Sequence, residues 1–200
     1  MKIIAFTGAG ISKASGIDTF QDRPGIREKL TRTFANTHPE EFRKVMEEFV
    51  STIEGKEPND AHYALAENNI PIITMNVDNL HQKAGSKNVI TVHGVLPTKE
   101  ELPYCETLIG KPVLYEDNAP LYAEAINLLG EYSFYENTTL LVIGASSYTA
   151  FSVYIRNIAE SYRMNIIEIQ SNAEKNVREC IDLLKIGENP YFLNEKYKGE

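Results

Sequence analysis

Ile3-Ile4-Ala5-Phe6-Thr7-Gly8-Ala9-Gly10-Ile11-Ser12-Lys13-Ala14-Ser15-Gly16 joins a short apolar run directly to a glycine-rich turn. The apolar run reads as a buried strand. Glycines immediately after a strand let the backbone approach a phosphate closely, and a helix starting there adds free N–H groups and the positive end of its dipole. The same residues also suit a tight turn with no ligand. The six-residue spacing from Gly10 to Gly16 departs from the simple dinucleotide fingerprint, so the remaining strand ends have to separate the two readings.

Four more apolar runs follow: Ile70-Pro71-Ile72-Ile73, Val89-Ile90-Thr91-Val92, Leu140-Leu141-Val142-Ile143 and Ile166-Ile167-Glu168-Ile169. Segments with helical spacing separate them, among them Phe42, Val45, Met46, Phe49, Val50 and Ile53; Leu121, Ala125, Leu128 and Leu129; and Val177, Cys180, Ile181 and Leu184. Alternating strands and amphipathic helices predict an α/β fold, a doubly wound Rossmann-like parallel sheet with helices on both faces. Thr37 and Glu40 have capping-box spacing around Pro39, and Pro58-Asn59-Asp60 announces a helix over residues 61–68. Residues 94–118 mix three prolines with glycine and charges and are expected to form a small, loop-rich insertion. The predicted layout is one domain over residues 1–186, with 94–118 as a reduced insertion, and a C-terminal tail over 187–200.

A net charge of −8 without a dense Lys/Arg cluster argues against nucleic acid as a partner. An acidic surface can attract Lys-rich peptides, and solubility accounts for it equally well. No apolar run approaches the roughly 20 residues a membrane helix needs, and the N-terminal apolar segment is too short for a secretory leader. Cys105 and Cys180 match neither a disulfide framework nor the paired thiolates of a structural zinc site. A reduced, cytoplasmic setting and no bound metal are expected. The residues do not indicate an oligomeric state.

In an open parallel sheet a ligand sits beyond the carboxyl ends of the strands. The polar residues there are Thr74-Met75-Asn76-Val77-Asp78-Asn79-Leu80-His81, His93-Gly94 and Gly144-Ala145-Ser146-Ser147. With the first turn, they converge on one predicted crevice. Asp78 has a plainer alternative as an N-cap for the turn at 79–83 and Asn76 as a turn former, and either job could coexist with ligand contact. His93 could be an ordinary core or surface histidine, yet an imidazole with an unperturbed pKa near 6.5 at a strand end suits proton transfer. His62 and His81 read as helix-face residues and His38 as part of a capping turn.

This ordered set resembles the sirtuin family, in a short form lacking the zinc module. Gly8-Ala9-Gly10-Ile11-Ser12, Ser15-Gly16-Ile17 and Phe20 match the family's first motif. Thr74, Asn76, Val77, Asp78, Leu80, His81, Ala84 and Gly85 match its second. His93-Gly94 matches its catalytic His-Gly, Gly144-Ala145-Ser146 its Gly-Thr-Ser turn, and Pro58-Asn59 with His62 and Leu65 its intervening helix.

The resemblance implies NAD as cofactor and an NAD-dependent protein-lysine deacylase acting on acyl-lysine peptides. His93 is the implied base, acting on a ribose hydroxyl after nicotinamide departs. Asn76 and Asp78 would line the nicotinamide pocket with Ile17. Gly8, Ala9, Gly10, Ser12, Gly144, Ala145 and Ser146 would hold phosphates and ribose. Phe20, Gln21, Arg23, Met75 and Gln170 complete the expected cofactor contacts.

Departures are equally specific. The family's Pro and Arg are replaced by Asp18 and Gln21, with Arg23 a nearby substitute. Met75 replaces Gln, Gln170 replaces Asn, and only Cys105 remains of the zinc module's cysteines. In Leu114-Tyr115-Glu116-Asp117-Asn118-Ala119-Pro120, the stretch that resembles the peptide-pairing segment, Glu116 stands where the family has Gly. An NAD glycohydrolase or ADP-ribosyltransferase on the same site, and a non-catalytic NAD or ADP-ribose sensor, are the alternatives.

Overall fold

The computed structural model describes residues 2–17, 25–188 and 190. Most of the tail expected from residue 187, and the expected contacts Phe20, Gln21 and Arg23, therefore lie outside the described residues. Five parallel strands, β1 (Lys2–Thr7), β2 (Ile72–Thr74), β3 (Val89–Thr91), β4 (Thr138–Ile143) and β5 (Asn165–Ile169), form one sheet in the order β3-β2-β1-β4-β5. The doubly wound α/β expectation holds, and each apolar run of the sequence supplies one strand. The helices are α1 (Ile26–Lys29), α2 (Arg32–Thr37), α3 (Pro39–Ile53), α4 (Asp60–Glu67), α5 (Leu80–Lys83), α6 (Leu121–Tyr132), α7 (Ala150–Ser161) and α8 (Ala173–Lys185).

Alternation along the strands sends side chains to two separate cores, as a period of two requires. Ala5, Ile72, Leu141, Ile143, Ile167 and Ile169 face one layer with Ala61, Ala64 and Leu65 of α4 and Val177, Ile181 and Leu184 of α8. Ile4, Phe6, Ile73, Leu140 and Val142 face the other with Ala125 and Leu129 of α6 and Phe151 and Ile155 of α7. Both faces of the sheet are thereby covered, which explains why its strands are apolar runs and not alternating sequences.

A third core lies apart from the sheet: Ala35 of α2 and Phe42, Val45, Met46 and Phe49 of α3 pack with Leu96, Cys105 and Leu114. Residues 94–118 are loop-rich as expected, with one 3-10 stretch at Leu102–Thr107, but they also close a satellite core. Arg32 ties this region together, donating to both carboxylate oxygens of Asp117 (2.8 and 2.7 Å) and to the carbonyls of Glu106 and Leu108 (2.6 and 2.9 Å). Arg43 pairs with Glu106.

Local signals fared unevenly. Asn59 caps α4, accepting from the Ala61 N–H at 3.0 Å, while His62 Nδ1 accepts from the Asn59 N–H at 3.3 Å. The capping box expected at Thr37 and Glu40 does not form. Thr37 ends α2, its hydroxyl donating to the Thr33 carbonyl at 2.8 Å, and α3 starts at Pro39 after an N-cap His38 whose side chain caps nothing. A helix ending one residue earlier takes the threonine for itself.

Candidate active site

The sheet order places β1 between β2 and β4, so connections leaving β1 and β4 part at this point and open a crevice beyond their carboxyl ends. The ladder continues past the strands and fixes the loops: the Gly8 N–H donates to Ile143, Gly10 to Gly144, Gly144 to Ile169, and Met75 to Thr7, at 2.8–3.0 Å. A Cβ on Gly10 would stand 2.5 Å from Gly144 Cα, and one on Gly144 would stand 2.4 Å from the Ile11 nitrogen. The glycines read from the sequence as making room for a phosphate are required first by the contact of one turn with the other. The helix expected after them is a 3-10 helix over Ala9–Ser15, ended by Gly16 at φ 75°.

Three polar side chains form the crevice floor. The Asn76 amide donates to Ser12 Oγ at 3.3 Å and the Ser12 hydroxyl donates to Asp78 Oδ2 at 2.7 Å, with Ser12 fully buried and Asn76 and Asp78 each 8% exposed. Asp78 Oδ1 also accepts from the Leu80 N–H at 3.0 Å, so Asp78 both supports α5 and closes the floor. Ile17 is buried at the end of the same turn.

Beneath the floor lies a polar layer that the sequence reading missed. Thr7 and Thr74, register partners at the ends of β1 and β2, share a hydroxyl contact of 2.8 Å, and Thr74 Oγ1 accepts from the Asn76 N–H at 3.0 Å. His81 Nε2 lies 2.9 Å from the Thr7 hydroxyl, and its ring leans on His62 at 4.9 Å between centroids. Burial pushes the His62 imidazole down to about 4, with the Asp78 carboxylate opposing the shift, and pushes His81 well below its usual range, aided by His62. Both are helix residues as expected, on the inward faces of α4 and α5. A threonine ending each of two successive apolar runs was the available signal.

His93 follows β3. Its Nδ1 sits 3.2 Å from the Met75 carbonyl, which can only accept, so the Nδ1–H donates and the Nε2 lone pair is left as the basic site. Nε2 lies 3.1 Å from the Tyr122 hydroxyl of α6. Burial lowers the His93 pKa and the Met75 carbonyl partly opposes this, leaving a neutral imidazole at neutral pH. Through Met75, His93 is joined to the end of β1 by two successive hydrogen bonds. Tyr122 carries no motif, and nothing in the sequence marked it.

At the other end of the crevice, Arg156 Nη2 donates to the Ala145 carbonyl at 2.8 Å and its Nε to Glu168 at 2.8 Å. Gln170 donates to Glu168 at 2.7 Å and to the Ala145 carbonyl at 3.3 Å, so its amide nitrogen steadies the Gly144-Ala145-Ser146 turn. Along the remaining edge, the Tyr115 N–H donates to Leu30 and the Arg32 N–H to Tyr115, at 2.9 and 3.0 Å. Leu114 is closed on Asp117 in both directions, at 3.1 Å each. Glu116 has φ 79°, a conformation that favours glycine, and its carboxylate accepts from the Thr33 N–H and hydroxyl at 2.9 and 2.8 Å. Among the described residues, no group of three or more His, Cys, Asp or Glu could hold a metal ion.

Sheet order and crevice place the chain among doubly wound α/β proteins whose ligands sit at a topological switch point. The Sir2 family model matches residues 8–119. An NAD-dependent protein deacetylase of Bacillus anthracis is 36% identical over 178 residues, covering 72% of each chain. An NAD-dependent protein deacylase of Thermococcus sibiricus is 33% identical over 235 residues, covering 98% of this chain and 91% of that one. The chain belongs to the Sir2 family. A crystal structure of a Sir2 homolog–NAD complex superposes with a TM-score of 0.76 at 23% identity, over 93% of this chain and 90% of that one, and shows the same fold.

Proposed function

We propose that the chain is an NAD-dependent protein-lysine deacylase with His93 as its base. The observation that carries this reading is the His93 imidazole, kept neutral by burial, with its proton held on Nδ1 by Met75 and the Nε2 lone pair as its basic site, beside the Tyr122 hydroxyl. A base must be unprotonated at working pH and presented on the correct nitrogen, and His93 meets both conditions.

The crevice suits NAD in its chemistry: a buried amide, hydroxyl and carboxylate at one end, and two turns too close for any Cβ beside them. In this reading Asn76, Asp78, Ile17 and Met75 hold the nicotinamide end. Gly8, Ala9, Gly10, Ser12, Gly144, Ala145 and Ser146 hold the diphosphate and riboses, and Gln170 the adenosine side. Bound NAD supplies a glycosidic carbon from which nicotinamide leaves and a ribose that receives the acyl group. His93 Nε2 takes the proton of a ribose hydroxyl, and the Asn76-Ser12-Asp78 chain keeps the amide turned toward the nicotinamide end. An acyl-lysine peptide is the second substrate. No structural zinc takes part in this reading, and cytoplasmic placement is supported by Cys105 and Cys180, both buried free thiols raised by burial to about 11 and about 12.

A second reading has one specific observation in its favour. Backbone groups of Leu114 and Tyr115, in the segment expected to pair with a peptide, are already bonded to Asp117, Leu30 and Arg32. Water could then take the place of acyl-lysine, giving an NAD glycohydrolase. Nicotinamide release measured with and without an acyl-lysine peptide separates the two: the deacylase should be nearly silent without peptide and rise strongly with it. A rate indifferent to peptide and lost in His93→Ala would replace the first reading with the second.

A further inference from the structure

We propose that Tyr122 is a positioning residue for the base: its hydroxyl donates to His93 Nε2 in the resting site, holds the imidazole toward the crevice, and yields that lone pair to the substrate hydroxyl. This inference rests on the reading of His93 as the base.

The direction of the contact follows from the chemistry of the ring. The Met75 carbonyl obliges Nδ1 to carry the imidazole proton, so Nε2 has a single lone pair and no hydrogen. At 3.1 Å the Tyr122 O–H is therefore the donor. Tyr122 is held there by α6, which runs from Leu121 to Tyr132, and by its ring, which lies 4.1 Å from the Phe151 ring of α7. Phe151 in turn meets Phe6 of β1 at 6.1 Å. The tyrosine is thus braced by apolar contacts on one side and offers its one polar atom to His93 on the other. The groups facing His93 are the Met75 carbonyl from the loop after β2 and the Tyr122 hydroxyl from α6, with the Tyr115 phenol acting on Tyr122 through space.

One lone pair takes one strong donor, so a ribose hydroxyl can give its proton to Nε2 only by displacing the Tyr122 O–H. After transfer, Nε2 carries the proton and becomes a donor, and the phenol oxygen is then an acceptor within reach. Tyr122 begins and ends with its own proton. The phenol oxygen's bond from the imidazolium is charge-assisted and stronger than its donation to the neutral ring, so the contact favours the protonated form and partly offsets the lowering by burial.

The test is Tyr122→Phe, which keeps the ring against Phe151 and removes only the hydroxyl. With ring-labelled histidine, NMR titration of His93 in the unliganded protein should show its midpoint falling by about half to one pH unit. The acid limb of deacylated-peptide formation should move in the same direction, while nicotinamide exchange should stay within about twofold of the parent because it does not use the base. An unchanged His93 midpoint in a folded Tyr122→Phe protein would overturn the proposal and reduce Tyr122 to packing. Tyr122→Leu, which loses the brace as well, should show the same fall with a broadened His93 signal; a fall in this variant alone would assign the effect to packing and likewise count against the hydroxyl. The NMR arm needs no turnover. A parent protein without acyl-dependent activity but with the expected midpoint shift would remove the deacylase reading and leave the Tyr122 contact established.

Discussion

The proposed role of His93 as the base turns on which nitrogen bears the proton, and the Met75 carbonyl favours Nδ1 through a backbone contact that no side-chain motif encodes. His93→Ala should leave NAD affinity within a few-fold and slow acyl-dependent turnover by roughly 10² or more, read by isothermal titration and by peptide product. Retained turnover would remove His93 from the chemistry. Because burial lowers its pKa, the acid limb of the parent rate profile should fall below pH 6.5, the ordinary histidine value. Glu116 poses a separate question at the same scale, since it combines a backbone conformation that suits glycine with two hydrogen bonds to Thr33. Glu116→Ala loses the bonds and keeps the strain, whereas Glu116→Gly loses the bonds and relieves it. The glycine variant should be the more stable of the two by about 1 kcal/mol in urea unfolding. The reverse order would mean that φ is not the strained coordinate.

Among the elements, the region from α2 to residue 118 departs furthest from the sequence reading. Apolar spacing located α3, yet nothing local showed that its inward face would meet Leu96, Cys105 and Leu114 from a proline-broken stretch 47 to 72 positions further on. Such contacts depend on tertiary closure and leave no periodic trace. Strand ends behave differently: the glycine turn, Asn76, Asp78, His93 and Gly144 were all legible because a parallel sheet gathers every strand's carboxyl end on one side. Tyr122 was not, since it reaches the site from α6 through the interior; of Thr7, Thr74 and His81, which stand at strand ends and on α5, only the mutual contact was hidden. The satellite core is held by the Arg32–Asp117 pair, whose side chains are 17% and 6% exposed. Arg32 holds the Asp117 carboxyl below the usual carboxylate range, so the pair supports the fold above that range and weakens as pH falls through it. Arg32→Ala strands a mostly buried carboxylate and should cost about 3 kcal/mol or more. We further expect chelation with EDTA to leave thermal unfolding unchanged, with metal analysis finding far less than one zinc per chain; stoichiometric zinc would show that the ion pairs are not what holds this region.

Across the whole molecule, three histidines, His62 and His81 buried and His93 half-buried, share one consequence. His62, His81 and His93 all have pKa values lowered chiefly by burial, so in the folded state they stay neutral to a pH where unfolded chains already carry the protons. Stability is insensitive to them above about pH 7. It falls as pH drops below 6.5, where the unfolded state binds protons that the folded state refuses, and for His62 the loss continues to about pH 4. His62 alone should remove about 2 kcal/mol between pH 7.5 and pH 5, with further loss from the other two. Carboxylates cannot produce this, because Asp60, Glu106 and Asp117 have lowered values and begin to matter only near or below pH 4. The controlling variant is His62→Gln. Glutamine is a favoured partner in a capping box, so it can still accept from the Asn59 N–H while carrying no titratable ring. Urea midpoints at pH 7.5, 6 and 5 should fall steeply for the parent and visibly less for His62→Gln. Parallel declines in the two proteins would mean that the proton uptake lies elsewhere, and a parent midpoint that is flat to pH 5 would mean that the buried imidazoles are protonated in the fold after all.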